Sequence, residues 1–89
     1  MLEESVTIIN KLGLHARAAG KLVETTSRFS CDITIEKEGR NVDGKSIMAM
    51  MMLAAGKGTD ISVKTNGEDE AEAMTAVIEL INNRFGEAE

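Results

Sequence analysis

The chain has 89 residues, 43% of them apolar, and a formal charge of -5 at pH 7, which suffices for one compact domain with a modest core and is too little for two. The negative charge repels nucleic-acid phosphates, and Phe29 and Phe85 are the only aromatic residues, so base stacking has no platform and nucleic acid is not an expected partner. No apolar run approaches the roughly 18 to 20 residues of a membrane span, and the start Met1-Leu2-Glu3-Glu4 lacks the basic-then-apolar order of a signal peptide. The expectation is a cytoplasmic protein with no membrane insertion.

Val6-Thr7-Ile8 alternates apolar and polar residues as a half-buried strand does, and Gly13 breaks the pattern. Ala19, Leu22, Val23 and Thr26 then fall at i, i+3, i+4 and i+7, one stripe of a helix over about 16–27, with Lys21, Glu24 and Arg28 on the other face. Cys31, Ile33 and Ile35 alternate with Asp32, Thr34 and Glu36, and Glu38-Gly39 turns the chain into a short return strand through Val42. Ser46 can cap a short helix ending near Leu53, and Gly56-Lys57-Gly58 closes it. Ile61-Ser62-Val63 makes a fourth strand, closed by Asn66-Gly67. The last segment, 68–85, opens with acidic residues suited to a helix N-terminus and carries Met74, Val77, Ile78, Ile81 and Phe85 at helical spacing. The acidic tail beyond Gly86 is expected to fray.

The order β-α-β-β-α-β-α packs most simply as an α+β two-layer, open-faced β-sandwich, a four-stranded antiparallel sheet with three helices on one face. No internal repeat, proline or low-complexity linker divides the chain, so one domain spanning 1–89 is expected. Cys31 cannot close an internal disulfide and reads as a small apolar packing residue. One histidine and one cysteine separated by a helix give no recurring ligand spacing, so neither a metal nor another cofactor is expected.

Gly13-Leu14-His15-Ala16-Arg17 places the only histidine at the N-terminal tip of the first helix. The first amides of a helix have no partner within it, and the macrodipole favours negative charge there. A neutral imidazole nitrogen is a competent nucleophile near neutral pH, and a phosphoryl group on His15 could rest against the amides of Ala16 and Arg17. The Arg17 guanidinium can bind two phosphate oxygens at once. The small residues Ala16, Ala18, Ala19 and Gly20 would leave room for another protein to approach. His-x-Arg at a helix start is by itself weakly specific, and the same residues read equally as a helix cap beside a solvated charge.

Together with Gly44-Lys45-Ser46-Ile47-Met48 and Ala54-Ala55-Gly56-Lys57-Gly58-Thr59, this segment resembles the HPr family of the bacterial phosphotransferase system, with the spacing between the motifs intact from about Val6 to Leu80. The resemblance implies an open-faced β-sandwich and a phosphocarrier that is not itself an enzyme. It implies that His15 becomes a pros-phosphohistidine, phosphorylated by Enzyme I with phosphoenolpyruvate as the original donor, that Arg17 assists the phosphate, and that an Enzyme IIA domain is the acceptor. Ser46 matches the position that carries a regulatory phosphate in species with HPr kinase/phosphorylase. The family usually has proline where this chain has Ala18, which leaves the loop less rigid and frees one more donor. That departure leaves open whether the acceptor serves sugar uptake or a regulatory, nitrogen-type branch.

Met48, Met50, Met51 and Met52 crowd one short helix, of which Met50 and Leu53 fit the buried side. Ile47, Met48, Met51 and Met52 would then form, with Gly20, an adaptable apolar surface suited to docking on successive partners. A phosphate on Ser46 would set about two negative charges beside that surface and weaken docking without changing the fold. Capping alone also explains a serine at this position. Two other classes remain at this stage: an acylphosphatase-like enzyme, which would turn over a small acyl phosphate repeatedly, and a docking module that never uses its histidine. A carrier that presents one face to successive partners is expected to be a monomer.

Overall fold

The computed structural model of the protein describes all residues from Met1 to Glu89. Four strands, β1 (Leu2–Thr7), β2 (Asp32–Lys37), β3 (Arg40–Asp43) and β4 (Asp60–Asn66), alternate with three helices, α1 (Ala16–Thr26), α2 (Ile47–Leu53) and α3 (Glu70–Asn82). All strand pairs are antiparallel in the spatial order β1-β4-β2-β3. The architecture is the expected α+β open-faced sandwich.

Alternation decides which sheet residues enter the core: Ile33 and Ile35 of β2 and Ile61, Val63 and Thr65 of β4 are buried, and the residues between them are not. Register aligns these sets, with Ile35 opposite Val63 and Ile61 opposite Val6. Above them pack Leu22 of α1, Met50 of α2, and Val77 and Ile81 of α3, all fully buried. Glu38 and Gly39 both adopt positive φ, 51° and 82°, the backbone that a tight two-residue hairpin needs.

Three placements differ from the expectations. β1 begins at Leu2, because an edge strand needs only its ladder to β4, and Val6 is its single buried side chain. α2 ends at Leu53, as expected, and Ala54 caps it in the left-handed conformation, φ 54°. Ala19 is buried with the apolar stripe of α1, and Ala18 joins it in the core, so neither lies on an approach surface. α3 stops at Asn82, and Phe85 reaches the core by a different route.

Arg84, Phe85 and Gly86 take φ values of 56°, 55° and 79°, which reverses the chain and drives the Phe85 ring fully inside. Left-handed backbone costs roughly 1–2 kcal/mol for each non-glycine residue, a penalty that burying a phenylalanine, about 1.5–3 kcal/mol, offsets in large part. Lys21 Nζ donates to the Phe85 carbonyl at 2.7 Å and fixes the turn against α1. The chain beyond it therefore runs back toward the start of α1.

Candidate functional site

His15 is the N-cap residue of α1, with extended backbone (φ -77°, ψ 179°) and no hydrogen bond from its side chain to the helix. Its carbonyl accepts from Ala19 N at 2.8 Å, and no acceptor meets the amides of Ala16, Arg17 or Ala18. The loop before it is pinned from below. Gly13 has φ +67°, and a Cβ there would lie 2.7 Å from the Ala55 carbonyl oxygen and from Gly56 Cα, so only glycine fits. Leu14 is buried, and its amide donates to Ala55 O at 2.9 Å.

The imidazole is about a quarter exposed, 27%. It borders an open cleft together with Leu12, Ala16, Arg17, Lys21 and Glu87. Arg17 is exposed and makes no ion pair or side-chain hydrogen bond in this state, so its guanidinium is free to turn toward an anion at His15. Leu12, 67% exposed, adds an apolar group to the rim that periodicity did not single out.

The tail does not fray. Glu87 Oε2 lies 2.5 Å from His15 Nε2, and Glu87 Oε1 accepts from Asn10 Nδ2 at 2.9 Å. Asn10 is fully buried and also donates to Gly13 O at 2.8 Å. Lys11 N donates to Glu89 O at 2.6 Å, a second tie. The hydrogen bond from Asn10, reinforced by the contact and charge of His15 and by the charge of Lys21, holds the Glu87 carboxyl below the usual carboxylate range against its partial burial. Nδ1 of His15 meets no protein partner.

Ser46 caps α2, its Oγ accepting from Ala49 N at 3.2 Å. Beside it Ile47, Met48, Met51 and Met52 are exposed while Met50 is fully buried, as the spacing predicts. α1 and α2 pack against each other, so the methionine surface and the His15 tip share the helical side of the sheet. Gly20 is half-buried, with open space where a Cβ would stand. Cys31 is buried, its thiol pushed up by burial and then by Asp69, and it serves packing.

The family model described as "PTS HPr component phosphorylation site" matches residues 2–83. The chain belongs to the HPr family. The phosphocarrier protein HPr of Pseudomonas aeruginosa is 60% identical over 88 residues, covering 94% of each chain. The crystal structure of HPr-C-His from Thermoanaerobacter tengcongensis superposes with a TM-score of 0.96 at 43% identity, each chain covered completely. That of the HPr dimer from the same organism gives 0.79 at 44% identity, covering 98% of this chain and all of the other.

An HPr protein is a phosphocarrier, not an enzyme, so the acylphosphatase-like alternative falls. Of the residues expected at the site, His15, Ala16 and Arg17 come together at the helix tip. Ser46 and the methionines form a second feature on α2. Sequence reasoning missed Glu87 and Asn10. The only sequence signal for them was an acidic residue two positions beyond Phe85, whose own burial was foreseen.

Proposed function

We propose that this HPr-family chain, acting as a single domain over 1–89, takes a phosphoryl group from phosphorylated Enzyme I onto Nδ1 of His15 and passes it to an Enzyme IIA-type acceptor. Phosphoenolpyruvate is the original donor. The observation that carries the reading is the position of His15: an accessible imidazole at the N-cap of α1, followed by the unpartnered amides of Ala16 and Arg17. Oriented N–H groups at a helix start stabilise an anion, and the Arg17 guanidinium can bind two of its oxygens. Such a transfer is mostly positioning and charge stabilisation, which this tip supplies without a cofactor.

Gly20, Ile47, Met48, Met51 and Met52 form the docking surface in this reading, and a phosphate on Ser46, placed by HPr kinase/phosphorylase, regulates it. Four large apolar groups exposed together on and beside one helical turn support a docking role. The carrier works in the cytoplasm as a monomer.

The test is reconstitution with Enzyme I, phosphoenolpyruvate and, separately, sugar-type and nitrogen-type Enzyme IIA domains, each followed by phosphate transfer and by the mass of the complexes in solution. Onward transfer from a monomeric phosphorylated chain to the sugar-type acceptor supports the full reading. Transfer to the nitrogen-type acceptor alone assigns the regulatory branch, and a dimer as the active species removes the monomer.

A further inference from the structure

Glu87 has no part in the transfer described above, yet its carboxylate faces the reacting ring. Oε2 lies 2.5 Å from His15 Nε2. The other oxygen is held by Asn10 Nδ2 at 2.9 Å, and the same nitrogen donates to Gly13 O, two residues before His15, at 2.8 Å. Asn10 is fully buried. Turning its amide over would set Oδ1 against two acceptors, Gly13 O and the carboxylate, so its orientation is determined by the network. One buried side chain thus couples the histidine loop to the tail.

An ionised carboxylate can only accept, so the ring nitrogen that faces it carries a proton. A neutral imidazole has one N–H, so the lone pair is then on Nδ1. The carboxylate also repels and obstructs a phosphoryl group arriving at Nε2. We propose that Glu87 is the positioning residue that selects Nδ1 of His15 as the phosphoryl acceptor, an inference that rests on the carrier reading of His15. In the transfer the Nδ1 lone pair forms the new N–P bond while the N–P bond of the phosphorylated donor breaks and its electron pair returns to the donor nitrogen. The proton on Nε2 stays between the ring and Glu87, whose negative charge offsets the positive charge the ring acquires.

The experiment uses the full chain labelled with 15N-histidine, as parent, Glu87→Ala and Glu87→Gln. NMR reads the ring tautomer first. Each protein is then treated with phosphoramidate, whose protonated nitrogen leaves as ammonia when imidazole attacks phosphorus, so the outcome needs no Enzyme I. The parent is expected to show the Nε2–H tautomer alone and phosphorus on Nδ1 alone. Glu87→Ala is expected to show both tautomers and a second phosphorus signal on Nε2, and Glu87→Gln, whose single oxygen is claimed by Asn10 Nδ2 so that its NH2 turns to Nε2, to favour the Nδ1–H tautomer and move phosphorus toward Nε2. A Glu87→Ala ring that matches the parent in tautomer and in phosphorylation position overturns the proposal. Selection by Glu87 under phosphoramidate together with inertness toward Enzyme I removes the carrier reading and leaves the tautomer control standing.

Discussion

His15 and Glu87 are 72 positions apart in sequence, and their side chains lie 2.5 Å apart in the fold. The carboxyl of Glu87 is held below the usual carboxylate range, first by Asn10 and then by His15. A carboxylate whose folded value is depressed contributes stability that is present above its unfolded value and is lost as pH falls through the folded one. Docking of the tail is therefore expected to persist through the pH range in which a free glutamate half-protonates, and to fail only below it. The Glu87 carboxyl carbon shift, followed by NMR from pH 7 downward, measures this. A midpoint at or above that of a free glutamate contradicts it.

Arg17 touches no other side chain through a polar contact, so removing it leaves folding intact while, in the proposed transfer, it removes a charge-assisted partner of the transferring group. Arg17→Ala is expected to change unfolding free energy by less than about 0.5 kcal/mol and to slow phosphorylation by Enzyme I roughly 10- to 100-fold. Urea unfolding and a phosphoryl-transfer time course separate the two effects. A large loss of stability with an unchanged rate would reverse the assignment.

Ser46 caps α2 and, in the proposed function, also borders the docking surface, two duties that can be separated. Its cap of Ala49 N is worth about 1 kcal/mol, the expected loss in Ser46→Ala. Aspartate caps as well as serine, so Ser46→Asp is expected to unfold at nearly the parental urea concentration while its charge weakens docking of Enzyme I by at least about tenfold. Calorimetric titration checks the binding. Equal affinities for the parent and Ser46→Asp would detach Ser46 from the docking surface.

The strands, helices and sandwich were legible because each rests on local periodicity: Ile33 and Ile35 for β2, Ile61 and Val63 for β4, Val77 and Ile81 for α3. The placement of His15, Ala16 and Arg17 at the start of α1 was legible for a similar reason, since a glycine loop followed by a helix start is a local pattern, whereas a phosphoryl role for them came only with the resemblance. The Glu87 contact was not, because it depends on three consecutive left-handed residues after α3 and on a hydrogen bond from Asn10, a buried amide near the other end of the chain. Neither leaves a periodic trace. Ala54 ends α2 in left-handed backbone although Gly56 stands two residues on, which propensity alone assigns the other way.

Phe85 is what anchors that turn. Phe85→Ala is expected to cost about 3–5 kcal/mol and to release the tail from His15 in the molecules that remain folded. Urea unfolding gives the first number, and loss of the nuclear Overhauser contact between Glu87 and the His15 ring reports the second. A tail that stays docked without Phe85 would show that Lys11, Asn10 and Lys21 suffice to hold it.

The most direct measurement is the intact mass of the chain after incubation with phosphoenolpyruvate and a competent Enzyme I, beside a His15→Ala variant. The parent is expected to gain one acid-labile phosphoryl group and the variant none. A parent that gains nothing, or a variant that gains the same mass, would contradict a carrier built on His15.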